Sequence, residues 1–191
     1  MNTKFILHGG FTSTQNELNR SFFKELTKDV PEDGTVLLIF FSRKDEELER
    51  LFAEDKKNVL DQAGGKKLNV VLATEEDFIN QVKQADALYM RGGETDKLLA
   101  KLRQFPEFKN LINGKTVAGS SAGAYVIGQY SAGHSVTHIR EGLGLAPLRV
   151  VCHYQSSDLP PSKESLSILK ETAQDLELVL LKNFEHKKFS F

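Results

Sequence analysis

The stretch that most constrains this chain is Thr116–Ile127, TVAGSSAGAYVI. A short apolar run enters a glycine- and serine-rich corner and leaves as small and apolar residues suited to a helix, which reads as strand, sharp turn and helix. Within it Gly119-Ser120-Ser121-Ala122-Gly123 matches G-x-S-x-G, the nucleophile elbow, in which a serine at the tip of a strained turn projects its hydroxyl above a sheet. Strand and helix come so close at such a corner that side chains are excluded on either side of the nucleophile, hence the two glycines. The same composition also suits a turn that is merely tightly packed; the strand before it and the helix after it weigh for the elbow. Ser121 is therefore the candidate nucleophile. The backbone N–H of Ala122, at the mouth of the helix, is a candidate oxyanion donor.

The rest of the chain alternates in the same way. Apolar runs at Lys4–Leu7, Thr35–Ser42, Leu68–Ala73 and Ala85–Met90 predict strands. Helical spacing predicts helices over Gln15–Val30, Asp45–Gln62, Glu75–Gln84 with Thr74 as N-cap, Asp96–Arg103 and, more briefly, Pro106–Ile112. Successive strand–helix–strand units imply right-handed crossovers and a mostly parallel sheet covered by helices on both faces, a three-layer α/β/α sandwich. Ligands of such sheets bind at the carboxyl ends of the strands, where His8-Gly9-Gly10, Arg91-Gly92-Gly93 and Ser121 all fall. Beyond the elbow, Gln129–Glu141 is polar and reads as a loop or short hairpin. Leu148–Tyr154 is a strand ending near His153, Ser162–Asp175 a helix capped by Ser162, and Leu176–Leu181 the last strand. The tail KNFEHKKFSF shows neither helical nor strand period.

Composition narrows the function. With 191 residues, 40% hydrophobic and 27% charged, the chain suits one sizeable core, so residues 1–191 are read as one domain. A net charge of −1 from 25 basic and 26 acidic residues gives no electrostatic footprint for nucleic acid or an anionic membrane, and a small neutral or zwitterionic partner is expected. The one cysteine, Cys152, excludes an internal disulfide framework. MNTKFILHGG lacks the apolar core of a signal peptide, and no apolar run approaches the ~20 residues of a membrane span, so a cytoplasmic location is expected.

A serine hydroxyl needs a base to be nucleophilic near neutral pH. Five histidines are available: His8, His134, His138, His153 and His186. Position favours His153, at a strand end on the active edge. An orienting carboxylate could come from Glu141, Asp158 or Glu94, and spacing does not choose among them.

Together, Tyr89-Met90-Arg91-Gly92-Gly93-Glu94-Thr95, Gly119-Ser120-Ser121-Ala122-Gly123-Ala124, Glu141-Gly142-Leu143-Gly144-Leu145 and Cys152-His153-Tyr154 resemble, in order and spacing, the peptidase E (aspartyl dipeptidase) family of serine peptidases, relatives of cyanophycinase. The resemblance implies a flavodoxin-like fold similar to class I glutamine amidotransferases, with serine where those enzymes carry cysteine. It implies Ser121 as nucleophile, His153 as general base, and an oxyanion hole from the N–H groups of Gly92 or Gly93 and of Ala122. The expected activity is serine-type hydrolysis of a small peptide with no metal or cofactor; the alternatives are an esterase or amidase on the same site, or a non-catalytic binding protein of the same fold. Glu141, the one acidic residue between Ser121 and His153, is the expected third catalytic residue. The chain departs from the family pattern at Cys152, where a proline is usual, and in having no arginine after Arg149 to read a substrate aspartate. Arg91 or Arg140 is then expected to supply such a charge.

Overall fold

The computed structural model describes residues 2–134 and 136–191. The first half follows the alternation read from sequence: β1 (Lys4–His8), α1 (Glu17–Thr27), β2 (Thr35–Ile39), α2 (Asp45–Asp61), β3 (Asn69–Leu72), α3 (Phe78–Gln84), β4 (Ala87–Met90) and α4 (Thr95–Leu102). A short α5 (Phe108–Leu111) precedes the elbow strand β5 (Thr116–Ser120) and helix α6 (Ala122–Ile127). The second half adds β6 (Tyr130–Ser131), β7 (Arg140–Glu141), β8 (Leu148–Val151), α7 (Lys163–Glu171), β9 (Glu177–Leu180) and β10 (His186–Ser190).

A six-stranded sheet runs in the order β10-β1-β5-β4-β2-β3 and is parallel throughout except for β10, which pairs antiparallel with β1. A four-stranded sheet runs β7-β6-β8-β9. The period-2 alternation of the strands sorts the core into layers. Ile6, Leu38, Tyr89 and Ala118 face α1 and α2, where Phe22, Phe23, Leu26, Leu51 and Val59 are buried. Phe5, Leu7, Leu37, Leu88 and Val117 join the opposite cluster, with residues of α3, α4, α5 and α6. Among the described residues no helix is long and apolar enough to cross a membrane.

Several expected boundaries shift for local reasons. β2 stops at Ile39 rather than Ser42, because Arg43 N–H turns back to the Phe40 carbonyl and the Ser42 carbonyl accepts from Glu94 N–H. α3 starts at Phe78, not Glu75, with Asp77 rather than Thr74 at its N-cap. The Gln81 side chain explains this: its carboxamide accepts from Thr74 N–H and donates to the Leu72 carbonyl, closing the corner that another helical turn would have occupied. Of the stretch Gln129–Glu141, expected to be a loop or short hairpin, Tyr130 pairs antiparallel with Glu141 and Ser131 with Arg140, while Ser135 lies outside the described residues. The tail, expected to be irregular, forms β10.

Candidate active site

Ser121 occupies the elbow between β5 and α6 with φ 48° and ψ −107°, a conformation that non-glycine residues rarely adopt. Its N–H is fixed by the His8 carbonyl at 2.9 Å. The flanking glycines are required by contact: a Cβ on Gly119 would lie 2.4 Å from the Gly123 carbonyl carbon, and one on Gly123 would lie 2.1 Å from the Met90 carbonyl oxygen. Strand, Ser121 and helix are thus locked together through backbone that no side chain can enter.

His153 lies just past β8, with φ 56° and its N–H bonded to the Gly9 carbonyl at 3.2 Å. Gly10 makes room for it, since a Cβ there would sit 2.1 Å from His153 Cε1. Nε2 of His153 is 3.0 Å from Ser121 Oγ, a hydrogen-bonded separation at which an imidazole can take a hydroxyl proton. Burial lowers the pKa of His153 from the ordinary 6.5, partly offset by its bond to Asn183, and His134 lowers it further. Phe11 packs edge-on against the imidazole at 5.1 Å between centroids.

The Nδ1 partner is not a carboxylate. Asn183, in the turn between β9 and β10, places Oδ1 2.9 Å from His153 Nδ1. Its amide nitrogen donates to Ser156 Oγ at 3.0 Å, a hydroxyl that also accepts from the N–H groups of Asp158 and Leu159, and the amide oxygen is left for the imidazole. With Asn183 Oδ1 able only to accept, Nδ1 carries the proton and Nε2 faces Ser121 as acceptor. Glu141 does not occupy this place: it is an exposed residue of β7, paired with Tyr130, and its backbone carbonyl accepts from Arg103. Asp158 and Glu94 are exposed as well, and neither hydrogen-bonds to His153. Asn183 escaped sequence reasoning because asparagine is not a titratable signal and lies far along the chain in a segment without period. The HGG turn is the one hint, since its glycines mark where another segment must approach.

The other histidines are placed elsewhere. His8 is fully buried, its Nδ1 accepting from Gly10 N–H and its Nε2 meeting Asn19 Oδ1 at 2.9 Å; burial pushes its pKa down to about 3. His134 and His138 are exposed, and His186 belongs to β10. Cys152 is buried beneath the elbow with its sulfur 3.8 Å from the Ser121 carbonyl, and burial pushes its thiol up, away from thiolate chemistry.

The glycine loop after β4 lies beside Ser121, where a Cβ on Gly92 would stand 3.2 Å from the Ser121 Cβ. Gly92 N–H is committed to Ser120 Oγ at 3.0 Å. The N–H groups of Gly93 and Ala122 find no acceptor among the described residues, so of the three expected donors these two remain available for an oxyanion. Ser121, His153, Gly93 and Leu159 line two neighbouring hollows of about 270 and about 320 Å³. The first also takes in Arg43 and Arg91, the second Glu94, Asp96 and Arg140. Neither arginine expected to read a substrate charge is free. Arg91 is buried against Asp55 and Glu54 and donates to Ser13, while Arg140 holds Asp96 through two bonds of 2.8 and 3.1 Å.

A model of peptidase family S51 matches residues 5–186. No curated protein matches the chain. Among solved structures, a "putative peptidase E protein" from Listeria monocytogenes EGD-e is 18% identical, superposes with a TM-score of 0.66, and is matched over 100% of this chain and 98% of its own. A peptidase from an acI-B1 Actinobacterium is 22% identical with a TM-score of 0.71, over 100% of this chain and 84% of that one. At these identities the two structures establish the fold.

Proposed function

Since the chain belongs to peptidase family S51 and is a serine-type peptidase, we propose that it hydrolyses a small peptide through an acyl-enzyme on Ser121. The observation that carries the reading is the 3.0 Å contact between Ser121 Oγ and His153 Nε2 at the tip of the strained elbow. In the first half-reaction Oγ attacks the scissile carbonyl carbon while Nε2 takes its proton. Negative charge develops on the carbonyl oxygen, within reach of the N–H groups of Gly93 and Ala122. The C–N bond breaks as the imidazolium returns the proton to the departing amine, and water, deprotonated by the same Nε2, then cleaves the ester to Ser121. Asn183 accepts from Nδ1–H throughout. It stabilises the imidazolium by a dipole rather than a charge, as asparagine does in Cys-His-Asn peptidases.

The two hollows meeting at Ser121 support a short substrate, with a few groups on either side of the scissile bond. Labelling with a fluorophosphonate followed by peptide mapping tests the nucleophile, alongside hydrolysis of a dipeptide library by wild type and Ser121→Ala. Label on Ser121 and loss of hydrolysis in the variant are expected. Hydrolysis surviving in Ser121→Ala would overturn the assignment.

A further inference from the structure

The residue before the nucleophile has a task of its own. Ser120 is the last residue of β5 and is 2% exposed. Its hydroxyl accepts from Gly92 N–H at 3.0 Å and lies 2.9 Å from the Tyr89 hydroxyl, which in turn donates to Thr12 Oγ1 at 3.2 Å. Because the single Tyr89 proton goes to Thr12, the Ser120 proton must go to Tyr89, and the chain runs in one direction from Ser120 through Tyr89 to Thr12. Tyr89 is fully buried, so its hydroxyl has no water to turn to.

On its other side the same loop is tied by Ser42, whose hydroxyl donates to the Arg91 carbonyl at 2.9 Å, and by Arg91 N–H to the Ile39 carbonyl at 3.1 Å. Loop and nucleophile are in near contact: a Cβ on Gly92 would stand 3.2 Å from Ser121 Cβ. Rotation of the Gly92–Gly93 backbone would therefore change the aim of the Gly93 N–H in the loop that packs against Ser121. The geometry points to Ser120 as a positioning residue, and to Tyr89 as its anchor: together they hold the Gly92 N–H inward so that the Gly93 N–H, with that of Ala122, faces the oxyanion. The inference rests on the acyl-transfer reading of Ser121 and assigns to the site a part that Ser121 and His153 do not play.

The test uses Ser120→Ala, Tyr89→Phe and the double variant in the full chain, with three readouts: the rate of Ser121 labelling by a fluorophosphonate, the affinity for a peptide boronate that forms a tetrahedral adduct on serine, and KM for a peptide substrate. Ser120→Ala is expected to slow labelling and weaken the boronate by about tenfold to a hundredfold, less than the hundredfold to thousandfold that outright loss of an oxyanion donor costs, with KM within about twofold. Tyr89→Phe should act in the same direction but more weakly, and the double variant should be no worse than Ser120→Ala, since both substitutions act through one hydroxyl. Labelling and boronate affinity in Ser120→Ala equal to wild type, or additive losses in the double variant, would overturn the inference. If Ser120→Ala does not fold, Tyr89→Phe decides alone: unchanged boronate affinity counts against the anchor. Absence of label on Ser121 in the wild type would instead sink the acyl-transfer reading itself, so the two failures are distinguishable.

Discussion

His153 Nδ1, just past β8, lies 2.9 Å from Oδ1 of Asn183, in the turn that joins β9 to β10. A neutral amide in this place holds the ring without adding charge, so burial decides the protonation of His153 and its pKa stays below 6.5. Nucleophile activation needs the neutral imidazole, so kcat/KM should fall on the acid side with a midpoint below pH 6.5 and remain flat through neutrality. Asn183→Asp puts a carboxylate beside the ring, favours the imidazolium and should move that midpoint to higher pH. Asn183→Ala should lower kcat by about tenfold to a thousandfold with KM little changed, because the tautomer is no longer fixed. An acid limb that stays in place in Asn183→Asp would show that the 2.9 Å contact is not made in solution.

Glu141→Gln should leave kcat within about twofold of wild type. Its carboxylate is exposed, and the group that Arg103 uses is the backbone carbonyl, which the substitution leaves intact. Surface substitutions of this kind usually change stability by less than about 0.5 kcal/mol. Steady-state kinetics on the purified variant check this, and a large loss of kcat would return Glu141 to the mechanism.

His8 makes the fold acid-sensitive. Its folded pKa is held down at about 3 by burial, against 6.5 for an ordinary histidine, so the unfolded chain binds a proton that the native chain refuses. The resulting stability is fully present above pH 6.5 and is lost progressively as pH falls toward 3. At pH 5 the loss from this residue should reach about 2 kcal/mol. Urea unfolding of wild type and His8→Gln at pH 7 and pH 5 measures it: the variant should lose the His8 share of the pH slope, and identical slopes would contradict the assignment.

Gly123→Ala should be severe. The added methyl would meet the Met90 carbonyl oxygen at 2.1 Å, backbone against backbone, and relief requires α6 to move away from β4. A cost of about 3 kcal/mol or more is expected, together with loss of Ser121 reactivity as the elbow opens. Gly64→Ala is the contrast: φ there is +67° but nothing lies within 4 Å of the new carbon, so only left-handed strain of about 1 kcal/mol applies. Thermal unfolding of both variants separates the two effects.

What the sequence determined is what short-range sterics dictate. The elbow was legible because two glycines, a strand before them and a helix after them are needed within a few residues for one backbone geometry, and that geometry singled out Ser121 as the candidate nucleophile. Alternating apolar runs and helical stripes likewise carried the parallel sheet and its two helical layers, since each element must bury a face at its own period. His153 was legible by position, at a strand end on the active edge. Asn183 and β10 were decided only by the tertiary structure. β10 reads as irregular because it is an edge strand with exposed Lys187 and Lys188, and what makes it a strand is pairing with β1, from Lys4 opposite Ser190 to His8 opposite His186. That pairing, with Gly9 N–H bonded to the Glu185 carbonyl and Phe184 N–H to the Gly10 carbonyl, folds the turn over the HGG segment and delivers Asn183 to His153. The bonds that bring Asn183 to His153 join Gly9 and Gly10 to Phe184 and Glu185, segments far apart in sequence, and no local pattern of residues encodes them.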